Sequence, residues 1–574
     1  MKLSLSLLAL LLVAAPRGEK VENFSLDDVD GRKRTLHEQR EAKAVVLLFV
    51  GTECPMSNRY LSRFNDLAKT YSAKGVVVWA VNPSALETVD AIAKHAKSLS
   101  MPVLLDREQR VADALKVTTI PTAIVIDAGW EVRYRGLFDD HKSEDLVKRR
   151  FVAAALDGVL AGKEVATKET TPTGCLIQRA LKESSADVTY AGHVAPIFNK
   201  HCVECHRPGQ VAPFSMTTYE SARRWSRDIK RAVEAKRMPP WKPANHGVFR
   251  GERLMSDADI AAVTKWCDAG APLGDEKKMP EPPKFADDWR LGKPDLVLEA
   301  PEYDVSADGA DEYRTFVLDP KLTEDAWLAA VEYRPGNARI VHHIFATIDN
   351  KRVSLKMDAA DSGPGYATTG TGPGFIPLGD LAGWGPGMQP APLPEGMGYY
   401  LPKGSLIAME CHYHKSGRKE KDATRMGLHF SKAPPRQRLR SNVVLNMDFE
   451  IPAGDKRHLV TAGWIVKEDL HIVAVIPHMH LLGKEILVTA VLPDKKEITL
   501  VHLKEWDFNW QEAYFFKEPL ALPAGTKVRL KSWFDNSAEN PNNPRQPPAV
   551  VRFGESTTDE MAVAYFAYAL DKEK

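Results

Sequence analysis

The sequence predicts a multidomain chain: an α/β domain, then a small all-α domain, then two all-β domains of jelly-roll or sandwich type. Three observations carry that expectation. At 574 residues the chain exceeds what one hydrophobic core supports, and about 150 residues per domain gives roughly four domains. The apolar pattern changes character twice. Short apolar runs alternate with amphipathic segments to residue 165, helical periodicity occupies 186–275, and short strands separated by turn residues fill 293–574. Polar or proline-rich stretches at 166–185 and 276–292 lie at the two changes and read as linkers.

Composition excludes several classes. Lys and Arg total 77 against 76 Asp and Glu, a net +1, so no uniform field favours nucleic acid or an anionic membrane. A hydrophobic fraction of 44% with 27% charged residues excludes a polytopic membrane protein and wholesale disorder. Residues 1–18 hold Lys2, an apolar run from Leu3 to Ala15 and then Pro16, the pattern of a signal peptide. That run is shorter than the roughly 20 residues of a membrane-spanning helix, so the mature chain is expected to be exported, periplasmic or secreted, with no transmembrane span. In an oxidising compartment its six cysteines, at 54, 175, 202, 205, 267 and 411, can form disulfides or bind haem covalently.

In the first domain, 20–165, Ala44 to Val50 reads as a buried strand and Tyr60 to Ser72 as an amphipathic helix. Gly75 to Val81 and Thr122 to Ile126 add further strands. The strand leading into Gly51-Thr52-Glu53-Cys54-Pro55-Met56-Ser57 places Cys54 at a helix N-terminus, where the helix dipole makes a thiol reactive. Val117-Thr118-Thr119-Ile120-Pro121-Thr122 resembles the cis-proline loop of thioredoxin-like proteins, which would lie beside Cys54. On these two segments the domain resembles the redoxin branch of the thioredoxin-like fold. Its Cys54-x-x-Ser57 lacks the second cysteine of C-x-x-C. Three roles stay open for Cys54: pairing with Cys175, acting as a single peroxidatic or copper-handling thiol, or remaining inert.

In the second domain, 186–275, Tyr219 to Ala235 and Ser256 to Asp268 are the clearest helices. Cys202-Val203-Glu204-Cys205-His206 is C-x-x-C-H: two thiols spaced for thioethers to the haem vinyl groups, with the next histidine left for the iron. A methionine on the opposite side of the iron would raise its potential and favour electron transfer. Met216 and Met255 compete for that place with Met238. The run Met238-Pro239-Pro240-Trp241 resembles the ligand loop of small bacterial c-type cytochromes. The resemblance implies one covalent haem c, held by Cys202 and Cys205, with His206 and Met238 as axial ligands.

The β domains, 293–440 and 441–574, carry three histidine pairs: His342-His343, His412-x-His414 and His478-x-His480. Residues i and i+2 of a strand share a face, so His478 and His480 can meet one metal, although imidazole alone does not select the element. The segments Val341-His342-His343, Cys411-His412-Tyr413, Pro477 to Lys484 and Ser556 to Met561 together resemble the copper type II, ascorbate-dependent monooxygenases. The resemblance implies two copper ions facing across a solvent-filled cleft: His342, His343 and His412 on an electron-storing copper, and His478, His480 and Met561 on the copper that binds oxygen. His414, two residues from His412 on the same strand face, is open to a role as an extra or alternative ligand and is expected as a support behind the ligands.

Where peptide-amidating members of that family carry an arginine two residues before the His-x-His pair, this chain has Ile476; the family's tyrosine is kept as Tyr565. A neutral small-molecule substrate is therefore expected together with O2, hydroxylated with electrons from ascorbate or a periplasmic donor, and possible relay through the haem is part of this reading. Two rival readings stand beside it: a thiol peroxidase or disulfide reductase centred on Cys54, and a copper-binding electron-transfer protein without turnover.

Overall fold

A computed structural model describes residues 19–574, apart from 181–186, 286–288, 370–371, 386–387, 509, 555 and 574. The signal-peptide reading of residues 1–18 lies outside the described residues. The chain divides into two compact units, Met1–Ala180 and Leu181–Lys574. No helix among the described residues is long and apolar enough to cross a membrane.

The first unit is built on a five-stranded sheet and α-helices that pack on it. The apolar run from Ala44 forms β1 (Ala44–Phe49), buried at every position because neighbours cover both faces of the sheet. It leads into α1 (Pro55–Arg59) and α2 (Leu61–Ser72), whose Leu61, Phe64, Leu67, Ala68 and Tyr71 recur at helical spacing and enter the core. Next come β2 (Val76–Asn82), β3 (Val103–Leu105), a two-residue strand β4 (Thr119–Ile120), β5 (Thr122–Asp127), β6 (Val132–Gly136) and α3 (Phe151–Leu160). The sheet order is β3-β2-β1-β5-β6, with β1, β2 and β3 parallel and β5 antiparallel to β1. This is the thioredoxin-like domain expected from the sequence.

The segment after it is not a free linker. Arg135 N donates to Lys168 O and Thr170 N to Arg135 O, each at 3.0 Å, and Cys175–Leu176 forms β7, antiparallel to β4. Polar composition marks 166–185 as a linker, but backbone pairing holds residues 168–178 against the domain.

The second unit begins with helices: α4 (Ala195–His201), α5 (Tyr219–Arg224), α6 (Ser226–Glu234) and α7 (Asp257–Asp268). The single helix expected from Tyr219 to Ala235 is broken at Trp225, which is buried. The chain between α6 and α7 then joins the β region. Pro243 bridges Leu503, Phe249 bridges Phe516, and buried Phe249 sits in the core of the last sheets with Trp241 packed beside it.

The β region is two sandwiches. The first contains β8 (Leu296–Glu299), β9 (Glu312–Leu318), β10 (Ala326–Arg334), β11 (Val341–Asp349), β12 (Tyr366–Ala367), β13 (Met397–Leu401), β14 (Leu406–Tyr413), β15 (Arg425–Phe430) and β16 (Gln437–Arg438). Its sheets run β8-β15-β10-β13-β16 and β11-β14-β9-β12, and residues of both, such as Leu328 and Ile344, share one core. A Gly- and Pro-rich segment, residues 372–385, covers the outer edge of β11: Ile344 N donates to Trp384 O and Ile348 N to Gly379 O, each at 2.9 Å.

The second sandwich contains β17 (Arg440–Asn446), β18 (His458–Ile465), β19 (Leu470–His478), β20 (Gly483–Val491), β21 (Glu497–Leu503), β22 (Tyr514–Leu522), β23 (Lys527–Phe534) and β24 (Ala562–Leu570), in sheets β17-β24-β19-β22 and β18-β23-β20-β21. Val473 and Ala569 of this half enter the core of the first, so the two sandwiches share packed side chains.

Candidate metal centres and a buried thiol

His342 and His343 lie near the start of β11, where strict alternation would send neighbours to opposite faces. The register slips between Val341 and His343, and this bulge returns both imidazoles to one side, with His343 opposite His412 on β14. The three Nδ1 atoms converge: 3.1 Å from His342 to His412, 3.2 Å from His342 to His343 and 3.3 Å from His343 to His412. Imidazole nitrogens about 2.0 Å from a tetrahedral ion would be about 3.3 Å apart, so this triangle has the size of one coordination face.

His412 Nε2 lies 3.0 Å from a carboxylate oxygen of Asp311. A carboxylate only accepts, so Nε2 carries the proton and Nδ1 turns its lone pair inward. His414 pairs through Nδ1 with the same carboxylate, so it stands behind the triangle. Burial pushes Asp311 up, but His414 and His412 hold it well below the usual carboxylate range. Burial and the neighbouring imidazoles hold His343 well below the usual histidine range.

The second group sits where β19 ends at His478. His478 Nδ1 lies 2.6 Å from Gln511 Oε1, and His480 Nδ1 lies 3.2 Å from the Asp559 carbonyl oxygen. Both partners accept, so both Nδ1 atoms donate and Nε2 is the lone-pair nitrogen of each neutral ring. Burial and His478 hold His480 down to about 3. Buried Glu560 accepts from the N–H groups of His480 at 2.9 Å, Leu482 at 2.5 Å and Met561 at 3.3 Å. One carboxylate therefore ties the His-x-His turn to the backbone of Met561, whose side chain is buried. Burial pushes Glu560 up to about 8 against the pull of those N–H groups. Tyr565 on β24 is in register with Ile476 on β19, two residues before His478.

The two groups meet through side chains of both sandwiches. Tyr313 lies flat on His412, with ring centroids 4.2 Å apart, and hydrogen-bonds Thr557, two residues from Asp559. The resemblance implied a solvent-filled cleft here; Tyr313 and Thr557 bridge the junction.

In the helical segment Cys202 follows α4, and His206 N donates to Cys202 O at 2.9 Å. His206 Nδ1 donates to the Phe214 carbonyl at 3.0 Å, which leaves Nε2 as its lone-pair nitrogen. Burial pushes the Cys202 thiol up to about 12 and Cys205 up as well. Met216 is buried, whereas Met238 is 43% exposed.

Cys54 caps α1, with Pro55 at the first helical position. The Ile120–Pro121 bond is cis, and the Cys54 thiol donates to Ile120 O at 3.5 Å. Burial pushes this thiol up, but hydrogen bonds from Cys175 and Ser57 outweigh it and hold Cys54 below the ordinary thiol range.

Sequence reasoning missed Asp311, Tyr313 and Gln511, which belong to no motif and reach the histidines only through the tertiary fold. Glu560 was visible inside the run Ser556 to Met561, as the last polar residue before the apolar strand that begins at Ala562.

Two family models match the chain. Residues 17–135 match the AhpC/TSA family, and residues 450–574 match the copper type II ascorbate-dependent monooxygenase C-terminal domain. Thiol-disulfide oxidoreductase ResA of Halalkalibacterium halodurans is 34% identical over 118 residues, 21% of this chain and 66% of that protein. ResA of Bacillus subtilis is 31% identical over 112 residues, 19% of this chain and 61% of that protein. This chain thus spans just under two thirds of the length of the curated relatives it matches. An uncharacterized conserved protein from Geobacillus kaustophilus, of solved structure, is 28% identical, covering 30% of this chain and 94% of its own, with a TM-score of 0.27. Residues 17–135 of this chain are an AhpC/TSA-family redoxin domain, and residues 450–574 are a copper type II ascorbate-dependent monooxygenase C-terminal domain.

Proposed function

We propose that this protein is an exported copper-dependent monooxygenase that hydroxylates a C–H bond of a small uncharged substrate with O2, and that a c-type haem in its helical segment relays electrons. The observation that carries the copper reading is the triangle of three Nδ1 atoms at 3.1–3.3 Å, an arrangement that one cation completes. His342, His343 and His412 would hold one copper, and His478, His480 and Met561 the other. Copper there would supply one-electron chemistry and a site for O2, with the thioether favouring Cu(I).

The chain's own residues prepare these sites. Asp311 fixes the His412 tautomer and raises its basicity, while Gln511 and the Asp559 carbonyl orient His478 and His480. Glu560 sets the turn carrying His480 against Met561. Ile476 beside Tyr565 offers an apolar wall and one phenol near His478, which suits an uncharged substrate oriented by a single hydrogen bond.

Cys202, Cys205 and His206 have the donor set and the outward Nε2 that a covalent haem requires, and Met238 would complete it. The helical segment was expected to hang on a short linker. Instead Arg253 donates from Nε to Pro240 O at 3.1 Å and from Nη2 to Glu512 at 2.5 Å, next in sequence to the Gln511 that binds His478. This docking supports a relay by fixed proximity.

Metal and haem analysis of purified protein loaded with copper, followed by oxygen uptake on ascorbate, tests the reading. Two coppers and one haem per chain, with uptake that collapses in Met561→Ala, are expected. Absence of copper, or uptake indifferent to that substitution, would refute it.

A further inference from the structure

We propose that Cys54 and Cys175 form a dithiol/disulfide couple, with residues 173–178 acting as a strap that lays the second thiol over the first. The inference stands independently of the copper and haem reading. The motif at Cys54 ends in Ser57, so no partner thiol exists within it. The partner comes from beyond the domain's last helix, 121 residues later, by strand pairing.

The strap is built to arrive there. In β7, Ile120 faces Cys175 and Thr119 faces Leu176, and Ile177 N donates to Thr118 O at 3.0 Å. Buried Gln178 anchors the far end: Ser84 Oγ donates to its Oε1 at 2.9 Å, while Ala85 N and Gln109 Nε2 donate to its carbonyl oxygen at 3.0 Å. Gly174, at φ +151°, passes so close that a Cβ there would fall on the Ile120 carbonyl oxygen. The same carbonyl oxygen accepts from the Cys54 thiol. At this crossing the Cys175 thiol and N–H both hydrogen-bond the Cys54 sulfur, joined by the Ser57 N–H and hydroxyl. The cysteines are unbonded thiols in this structure, one bond from a disulfide.

Exposure sets the direction of exchange. Cys54 is 1% exposed and Cys175 8%. In the oxidised form, one thiolate of an external dithiol attacks Cys175 Sγ, the Cys54–Cys175 bond breaks, and its electron pair leaves on Cys54. Three donors that survive oxidation, the Cys175 N–H and the N–H and hydroxyl of Ser57, surround that sulfur, which makes it the better leaving group. The external dithiol's second thiolate then attacks its own sulfur in the mixed disulfide and releases Cys175 as a thiolate. The donor becomes a disulfide, and two electrons and two protons pass to the protein; run backwards, the sequence reduces an external disulfide.

The full-length protein, equilibrated across mixtures of reduced and oxidised dithiothreitol, acid-quenched, alkylated and mapped by mass spectrometry, tests this. A linked Cys54–Cys175 peptide is expected that tracks the dithiothreitol ratio and is absent from Cys54→Ser and Cys175→Ser. Both cysteines still alkylated at the most oxidising ratio, or Cys54 linked elsewhere, would overturn the couple. Gly174→Ala keeps both thiols and is expected to slow formation of the link at least tenfold; an unchanged rate overturns the role of the strap. Glutathione added to the oxidised protein should be trapped on Cys175, and an adduct on Cys54 instead would overturn the order of attack.

Discussion

The two histidine groups of the β region use opposite ring nitrogens. In the first, Nδ1 atoms converge and the outer nitrogen of His412 is held by the carboxylate of Asp311. In the second, the Nδ1 atoms of His478 and His480 are tied to neutral oxygens, the Gln511 amide and the Asp559 carbonyl, and Nε2 is left to face a ligand. A carboxylate behind an imidazole makes it a stronger donor, suited to the more highly charged metal state; neutral acceptors with a thioether nearby suit the lower one. The difference teaches that one residue type, repeated three times as a pair, yields two unlike sites through the partners behind it.

The largest effect expected is that of His412→Ala, which removes one vertex of the triangle. Elemental analysis should fall from two coppers per chain to one. Two coppers retained would break the comparison, because the first group would then not be a site at all. Next is Met561→Ala. Competition with a Cu(I)-specific chelator should show weaker binding at one site by on the order of 100-fold, with Cu(II) binding almost unchanged, since a thioether favours the softer ion. Equal losses for both oxidation states would show that Met561 packs rather than ligates.

A smaller pair of effects sharpens the contrast. Replacing a group that orients a ligating histidine costs about 10–100-fold in metal affinity. Asp311→Asn removes a charge and should lie near the upper end, whereas Gln511→Ala removes a neutral acceptor and should lie near the lower end. Titration of each variant with copper measures both. If Gln511→Ala is the more damaging, the charge behind His412 does not separate the sites.

How much of this was legible in the sequence differs between the two groups and between the domains. His478-x-His480 could be read directly, because alternation places i and i+2 on one face. His342-His343 could not be understood that way: adjacent strand residues share a site only through the bulge at Val341–His343, which depends on pairing with β14. Strands such as β1 and β5 were visible because burial on both faces leaves continuous apolar runs. The strap at 173–178 and the docking of 241–253 were not, since both are polar or irregular segments held by backbone bonds to distant strands. Asp311 and Gln511 were hidden for the same reason: a polar residue is informative only once its partner is known.

The smallest effect lies in the thiol pocket, the converse of the histidine sites. There the buried group is surrounded by donors, and what they stabilise is an anion. Cys175→Ala deletes one donor, the S–H, but keeps the backbone N–H and both groups of Ser57. Donors lower the pKa of the group they serve, so losing one raises it. A net hydrogen bond is worth about 0.5–1.5 kcal/mol and one pKa unit is about 1.4 kcal/mol, so the Cys54 midpoint should rise by about one unit or less. The measurement is the iodoacetamide rate at Cys54 against pH in the full-length protein. Removing the Cys175 side chain also opens access, which scales the rate at every pH but leaves the midpoint where the protonation equilibrium sets it. A midpoint that moved down would mean that Cys175 acts on Cys54 chiefly by burying it, and that the pocket is not a cradle of donors.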